Sequence, residues 1–233
     1  MTARSYLFVP ADRPERFDKA LAAGADAVIL DLEDAVAPEA KDGARRSLAD
    51  WLQRASSARV VLRINGADTA WFEDDLALCT AAGSVTTVML PKAERPEDLA
   101  RIAAAAPGRA LLPLIETAVG FDNMRSLAQA PGVERLVFGS IDFQLDLGIA
   151  GEGEELLFFR SQMVLASRLA NLAPPVDGVS TAIADVEPLQ AEARRARRLG
   201  FGAKLCIHPK QVAIVNESFS PSAEELAWAG RVL

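Results

Sequence analysis

The sequence predicts a (β/α)8 barrel in a single domain spanning residues 1–233. Three observations predict it. Eight short runs rich in Val, Ile and Leu alternate with amphipathic stretches of helical length. Most of those runs are continuously apolar rather than alternating, which marks strands of a parallel sheet covered on both faces. Eight such units in about 230 residues is the count of a (β/α)8 barrel. A doubly wound open sheet is the alternative. It prefers fewer strands and a Gly-rich first turn, whereas the first turn here reads "PADRPER".

The elements follow in order. The first strand is 5–9, "SYLFV". A helix over 13–23 comes next, with Asp12 as a cap, Pro14 in its first turn and Gly24 past its end. Strand 27–33, "AVILDLE", leads to helix 41–55. Strand 59–64, "RVVLRI", leads to helix 72–82. Strand 86–90, "TTVML", precedes helix 96–106, whose start "RPEDLARI" again places a proline first. Strand 110–115, "ALLPLI", is followed by helix 122–130, and strand 135–140, "RLVFGS", by helix 154–172. Strand 175–179, "PVDGV", is followed by helix 186–199, which Gly200 ends. Strand 203–207, "AKLCI", and a last helix over 222–232 complete the set. No linker, repeat or low-complexity tract divides the chain.

Composition narrows the function. Half of the residues are hydrophobic and the net charge is −7. An acidic chain is a poor general ligand for nucleic acid or anionic membrane. No apolar run approaches the ~18 residues a membrane helix needs, and the N-terminal apolar stretch is too short for a signal peptide. Cys79 and Cys206 are the only cysteines, and neither belongs to a C-x-x-C pair. Their number and spacing argue for a reducing, cytoplasmic compartment and against a zinc or redox site.

In a barrel the active site lies at the C-terminal ends of the strands. Read in order, those ends carry Pro10; Asp31, Glu33 and Asp34; Arg63 and Asn65; Pro91 and Lys92; Glu116 and Thr117; Ser140 and Asp142; Ser180; and His208. Hydrophobic strands thus deliver charge to one rim. Glu116, in "LLPLIET", and Asp142, in "VFGSIDF", stand one βα unit apart. Two converging carboxylates must share a proton or a cation. Mg2+ suits them, because one or two carboxylates with water and substrate oxygens complete its octahedron. The acids of the second strand are then expected as outer partners or water holders. The competing reading makes Glu116 and Asp142 helix-capping acids.

Arg63 calls for anionic partners, either a substrate carboxylate or the neighbouring acids. Lys92 is read as a solvated loop lysine, a charge neutraliser or a Schiff-base amine. His208, the only histidine, is read as a loop hydrogen bonder or a site base. Ser140 and Ser180 lack a triad-like histidine. "RRARR", 194–198, reads as a solvated helix face, and the arginines and lysines near the N-terminus as surface charge or as a frame for a phosphate-bearing ligand.

Several motifs together resemble one family. "RSYLFVPADRPERFDKALAAGADAVILDLEDAVAPEAKDGAR" resembles the opening of citrate lyase β-subunit-like proteins, in the HpcH/HpaI aldolase and malyl-CoA lyase superfamily. The likeness runs on through "LRIN", "WFEDDL", "VMLPKAE", "PLIETAVG", "VFGSIDFQLDLG" and "GFGAKLCIHPKQV", over nearly the whole chain. The resemblance implies a Mg2+-dependent TIM barrel, usually a homo-oligomer and often a trimer. It implies that a carbon–carbon bond is made or broken between an acyl thioester, on CoA or acyl-carrier protein, and a 2-oxo acid. Arg63 matches the family's substrate-contacting arginine. Glu116 and Asp142 match its metal ligands, and Glu116 also touches substrate there. Some relatives borrow an acid from a C-terminal segment of a neighbouring subunit; this sequence ends at "EELAWAGRVL", short of that segment in many relatives. Three other readings remain in view: a class II aldolase on free 2-oxo acids, a non-cleaving 2-oxo-acid binder and a Schiff-base aldolase.

Overall fold

The structure is a computed structural model that describes residues 2–55, 58–183 and 185–232. Met1, Ser56, Ser57, Ala184 and Leu233, which the domain range 1–233 includes, lie outside the described residues.

Eight parallel strands close in sequence order into a barrel. They are β1 (Ser5–Pro10), β2 (Ala27–Asp31), β3 (Val60–Arg63), β4 (Val85–Leu90), β5 (Ala110–Ile115), β6 (Val137–Phe138), β7 (Val176–Asp177) and β8 (Ala203–Cys206). The closing pairs match Ser5 to Lys204 and Leu7 to Cys206. Side chains alternate across each strand. Tyr6, Ile29, Val61, Met89, Leu112, Leu114, Val137, Val176, Ala203 and Leu205 fill the barrel interior. Leu7, Val9, Val28, Leu30, Leu62 and Val88 face the helices and join the larger core. This double burial is why the strands read as continuous apolar runs.

The helices are α1 (Phe17–Leu21), α2 (Lys41–Arg54), α3 (Phe72–Ala81), α4 (Pro96–Ala105), α5 (Ala118–Asp122), α6 (Met124–Ala128), α7 (Ser140–Leu147), α8 (Leu157–Leu169), α9 (Val186–Leu199), α10 (Pro209–Ser218) and α11 (Ala223–Val232). Among the described residues none is long and apolar enough to cross a membrane.

Several boundaries differ from the sequence expectation, each for a local reason. The segment expected as helix 13–23 is a 3-10 turn at Pro14–Arg16 followed by the short α1. The segment expected as helix 122–130 divides at Asn123 into α5 and α6, with Thr117 Oγ1 accepting from the Gly120 N–H at 3.0 Å to cap α5. The runs 135–140 and 175–179 keep only two strand residues each. Pro174 and Pro175 have no N–H for the ladder, and α7 starts directly at Ser140. Two helices, α7 and α10, have no counterpart in the expected element order, and only the capping reading of Asp142 implied a helix start at α7.

Candidate active site

The acids at the end of β2 are buried together with cations. Register sets Asp31 beside Arg63 on the neighbouring strand. Arg63 donates from Nε and Nη2 to the two oxygens of Asp31, at 2.7 and 2.6 Å, a bidentate fork. Its Nη1 lies 3.0 Å from Glu33 Oε2. Lys92 Nζ meets the other oxygen of Glu33 at 2.7 Å. Lys41, buried over the ring of Trp71, donates to the carbonyls of Leu32 and Glu33 at 2.9 Å each. Like charges can therefore crowd the end of a buried strand because three cations lie against them. Burial opposes the charge on Arg63, but Asp31 and Glu33 outweigh it and raise its pKa. Asp31 and Glu33 are thus ion-pair partners of Arg63 and Lys92.

Glu116 follows β5 and is fully buried. Its Oε1 accepts the Lys92 N–H at 2.7 Å, while its Oε2 is buried with no hydrogen-bond partner. Gly139 makes room for it: a Cβ there would lie 2.5 Å from Glu116 Cβ and 2.6 Å from Oε2. Burial, then the nearby charge of Glu33, push the Glu116 carboxyl up to about 8, against the pull of Lys92 and Arg63. Such a carboxyl accepts either a proton or a cation.

Asp142 lies in the first turn of α7, where the capping reading had placed it. It also lines one cavity with Glu116, Arg63, Asp31, Asp34 and Ser140, walled by Phe8, Phe138, Val179, Leu205 and Ile207. That cavity holds about 380 Å³, the size of a small-molecule site. Among the described residues no three His, Cys, Asp or Glu side chains form a metal cage. Two carboxylates sharing a cavity, one with an unpartnered oxygen, still fit Mg2+, which keeps water and substrate oxygens among its ligands.

The remaining rim residues divide. Asn65 is held by Asp75, which accepts from its N–H and Nδ2 at 2.9 and 2.6 Å. Ser140 Oγ contacts Glu152 Oε1 at 3.2 Å, and Glu152 also pairs with the buried Arg160. His208 caps α10: its Nδ1 accepts the Lys210 N–H, and Gln211 closes the capping box. These contacts give no serine–histidine pair. Lys92 departs from the Schiff-base reading, which needs a neutral amine; burial works against its charge, but Glu33 outweighs it and raises its pKa. Cys79 and Cys206 are free and buried, with burial pushing both thiols up to about 12. Sequence reasoning missed Glu152 and the clearance at Gly139; only the glycine of "FGSID" hinted at the latter.

The HpcH/HpaI aldolase/citrate lyase family model matches residues 4–209. The chain belongs to that family of lyases. A citrate lyase subunit beta-like protein of Mycobacterium tuberculosis is 43% identical over 236 residues, covering 98% of this chain and 83% of the relative. A (3S)-malyl-CoA thioesterase of Cereibacter sphaeroides is 37% identical over 232 residues, covering 98% and 81%. Among solved structures, protein CitE from Mycobacterium tuberculosis in complex with magnesium, acetoacetate and coenzyme A superposes with a TM-score of 0.85 at 40% identity, covering 98% of this chain and 85% of that one. The family likeness spans all eight strands of the barrel and the acidic rim described above.

Proposed function

We propose that the protein is a Mg2+-dependent carbon–carbon lyase. It cleaves a 3-hydroxy-3-carboxyacyl thioester of the citramalyl-, malyl- or citryl-CoA type to an acyl thioester and a 2-oxo acid. One observation carries this reading: Glu116, with an unpartnered buried oxygen, and Asp142 line one small cavity with the guanidinium of Arg63. The relative crystallised with magnesium, acetoacetate and coenzyme A supports it.

Glu116 and Asp142 would hold the metal, which when bound supplies Lewis acidity toward a substrate hydroxyl. Arg63, fixed by Asp31 and Glu33, lines the cavity and would balance negative charge as it develops on the substrate. Phe8, Phe138, Val179 and Leu205 keep water from the reacting carbons. The hydroxyl loses its proton and its oxygen becomes the carbonyl of the 2-oxo acid. The broken C–C bond leaves its electron pair on the carbon next to the thioester, which then takes a proton. A cytoplasmic homo-oligomer, trimeric in the family's manner, with CoA or acyl-carrier protein as thioester carrier, completes the proposal.

Incubation with citramalyl-, malyl- and citryl-CoA, with and without EDTA, tests it. Release of a 2-oxo acid together with an acyl thioester, suppressed by EDTA, is the expected result. Cleavage of free 2-oxo acids alone would move the assignment to a class II aldolase. Oxaloacetate binding without turnover would make the chain a non-cleaving binder. Free CoA without any 2-oxo acid would indicate thioester hydrolysis, the activity named for the Cereibacter sphaeroides relative.

A further inference from the structure

Lys92 has a backbone φ of 45°, in the left-handed region that a side chain with a Cβ rarely adopts. Among the described residues the one other non-glycine with positive φ is Asn171, a residue type that tolerates it. Left-handed residues of ordinary type persist where the surroundings hold them, and they gather at functional sites. Here the chain is fixed on both sides, by β4 ending at Leu90 and by the Ala93 N–H on the Leu114 carbonyl at 3.2 Å, and within that frame the Lys92 N–H meets Glu116 Oε1, 2.7 Å away. That bond occupies one carboxylate oxygen and leaves Oε2 unpartnered beside Gly139. The Lys92 side chain runs elsewhere, to Glu33, whose second oxygen faces Arg63. Backbone and ammonium of one residue therefore touch the two acids separately, so their roles can be separated by substitution.

We propose that Lys92 is a positioning residue for Glu116, acting through its left-handed backbone rather than through its charge. The turn fixes the carboxylate with one oxygen tied back and the other available to a cation. The proposal rests on the reading of Glu116 as a metal ligand. It goes further in assigning the strained residue of "LPKAE" a reason to be strained.

Asparagine and valine separate the two roles, since both remove the ammonium but only asparagine accepts a positive φ. Calorimetric titration with MgCl2 alone, beside melting temperatures, compares the wild type with Lys92→Asn, Lys92→Gly, Lys92→Val and Glu116→Gln. The expected result is Mg2+ affinity within about threefold of wild type for the Asn and Gly variants, and a loss of about tenfold or more for Val. A merely structural role would lower melting temperatures without separating these affinities. Equal affinity for Val and wild type would overturn the proposal. So would a tenfold loss in Asn and Gly, since that would assign the effect to the ammonium. Should Lys92→Val fail to fold, the Asn and Gly variants decide alone. If the wild type binds Mg2+ and Glu116→Gln does not, the metal reading stands whatever Lys92 does. If the wild type takes up no Mg2+, both fall.

Discussion

Glu116, the proposed metal ligand, is a buried carboxyl whose proton would compete with a cation. Its folded pKa, about 8, lies above the ordinary carboxylate value. A raised acid favours folding while it stays protonated, so its contribution is complete at low pH and is lost as pH rises through 8. Metal-free protein should therefore melt at falling temperatures between about pH 5 and pH 8, and Glu116→Gln should flatten that slope. Mg2+ replaces the proton, so it should raise the melting temperature more at about pH 8.5 than at about pH 6. Thermal melts with Mg2+ and with EDTA across this range check both signs. At this scale the convergence of Glu116, Asp142 and Arg63 on one cavity was legible, because all three directly follow apolar strand runs and so share one rim. The contact from Lys92 to Glu33, 59 positions apart, was not. It depends on the rotamers of two long side chains, which strand order does not set.

Buried charge also ties elements together outside the cavity. Asp177 of β7, wholly buried, accepts from Arg160 of α8 at 2.8 Å and from Lys204 of β8 at 2.9 Å. Burial works against its charge, but Lys204 and Arg160 outweigh this and hold its carboxyl below the ordinary value. Asp177→Ala would leave two fully buried cations without that partner, at a cost of about 3–5 kcal/mol. Chemical denaturation should show the loss, whereas a surface variant such as Glu15→Ala should change little. Elements were legible where they were long. The continuous apolar runs located all eight strands, and the proline starts and glycine ends located α4 and α9. The short α5, α6, α7 and α10 were missed or misplaced because each begins within a few residues of a strand end or inside an expected loop. Their signals were local: Thr117 as a cap for α5, Gly148 at φ 68° ending α7, and the His208–Gln211 capping box of α10. One or two residues of cap chemistry carry less information than a strand of five or six.

The whole molecule presents apolar surface away from the cavity. Phe158, Leu165 and Leu169 lie exposed along α8, and Leu226, Trp228 and Val232 along α11. Helix faces of this kind are covered in stable assemblies, which supports the proposed homo-oligomer. Sedimentation velocity should give a mass of about three chains if the proposed trimer holds, and a 24.9 kDa species would rule that assembly out. Barrel closure follows from strand count and continuous burial, and both were readable from the sequence. Assembly follows from surface shape, which a linear pattern does not carry. In the proposed mechanism Glu116 and Asp142 would grip one divalent ion that in turn engages a 2-oxo acid beside Arg63. The most direct measurement is a crystal structure of the wild type with Mg2+ and oxaloacetate. The expected result is one ion with a Glu116 and an Asp142 oxygen each about 2.0–2.1 Å away and the oxo acid completing its octahedron. An ion bound elsewhere, or oxaloacetate held without contact to either acid, would contradict it.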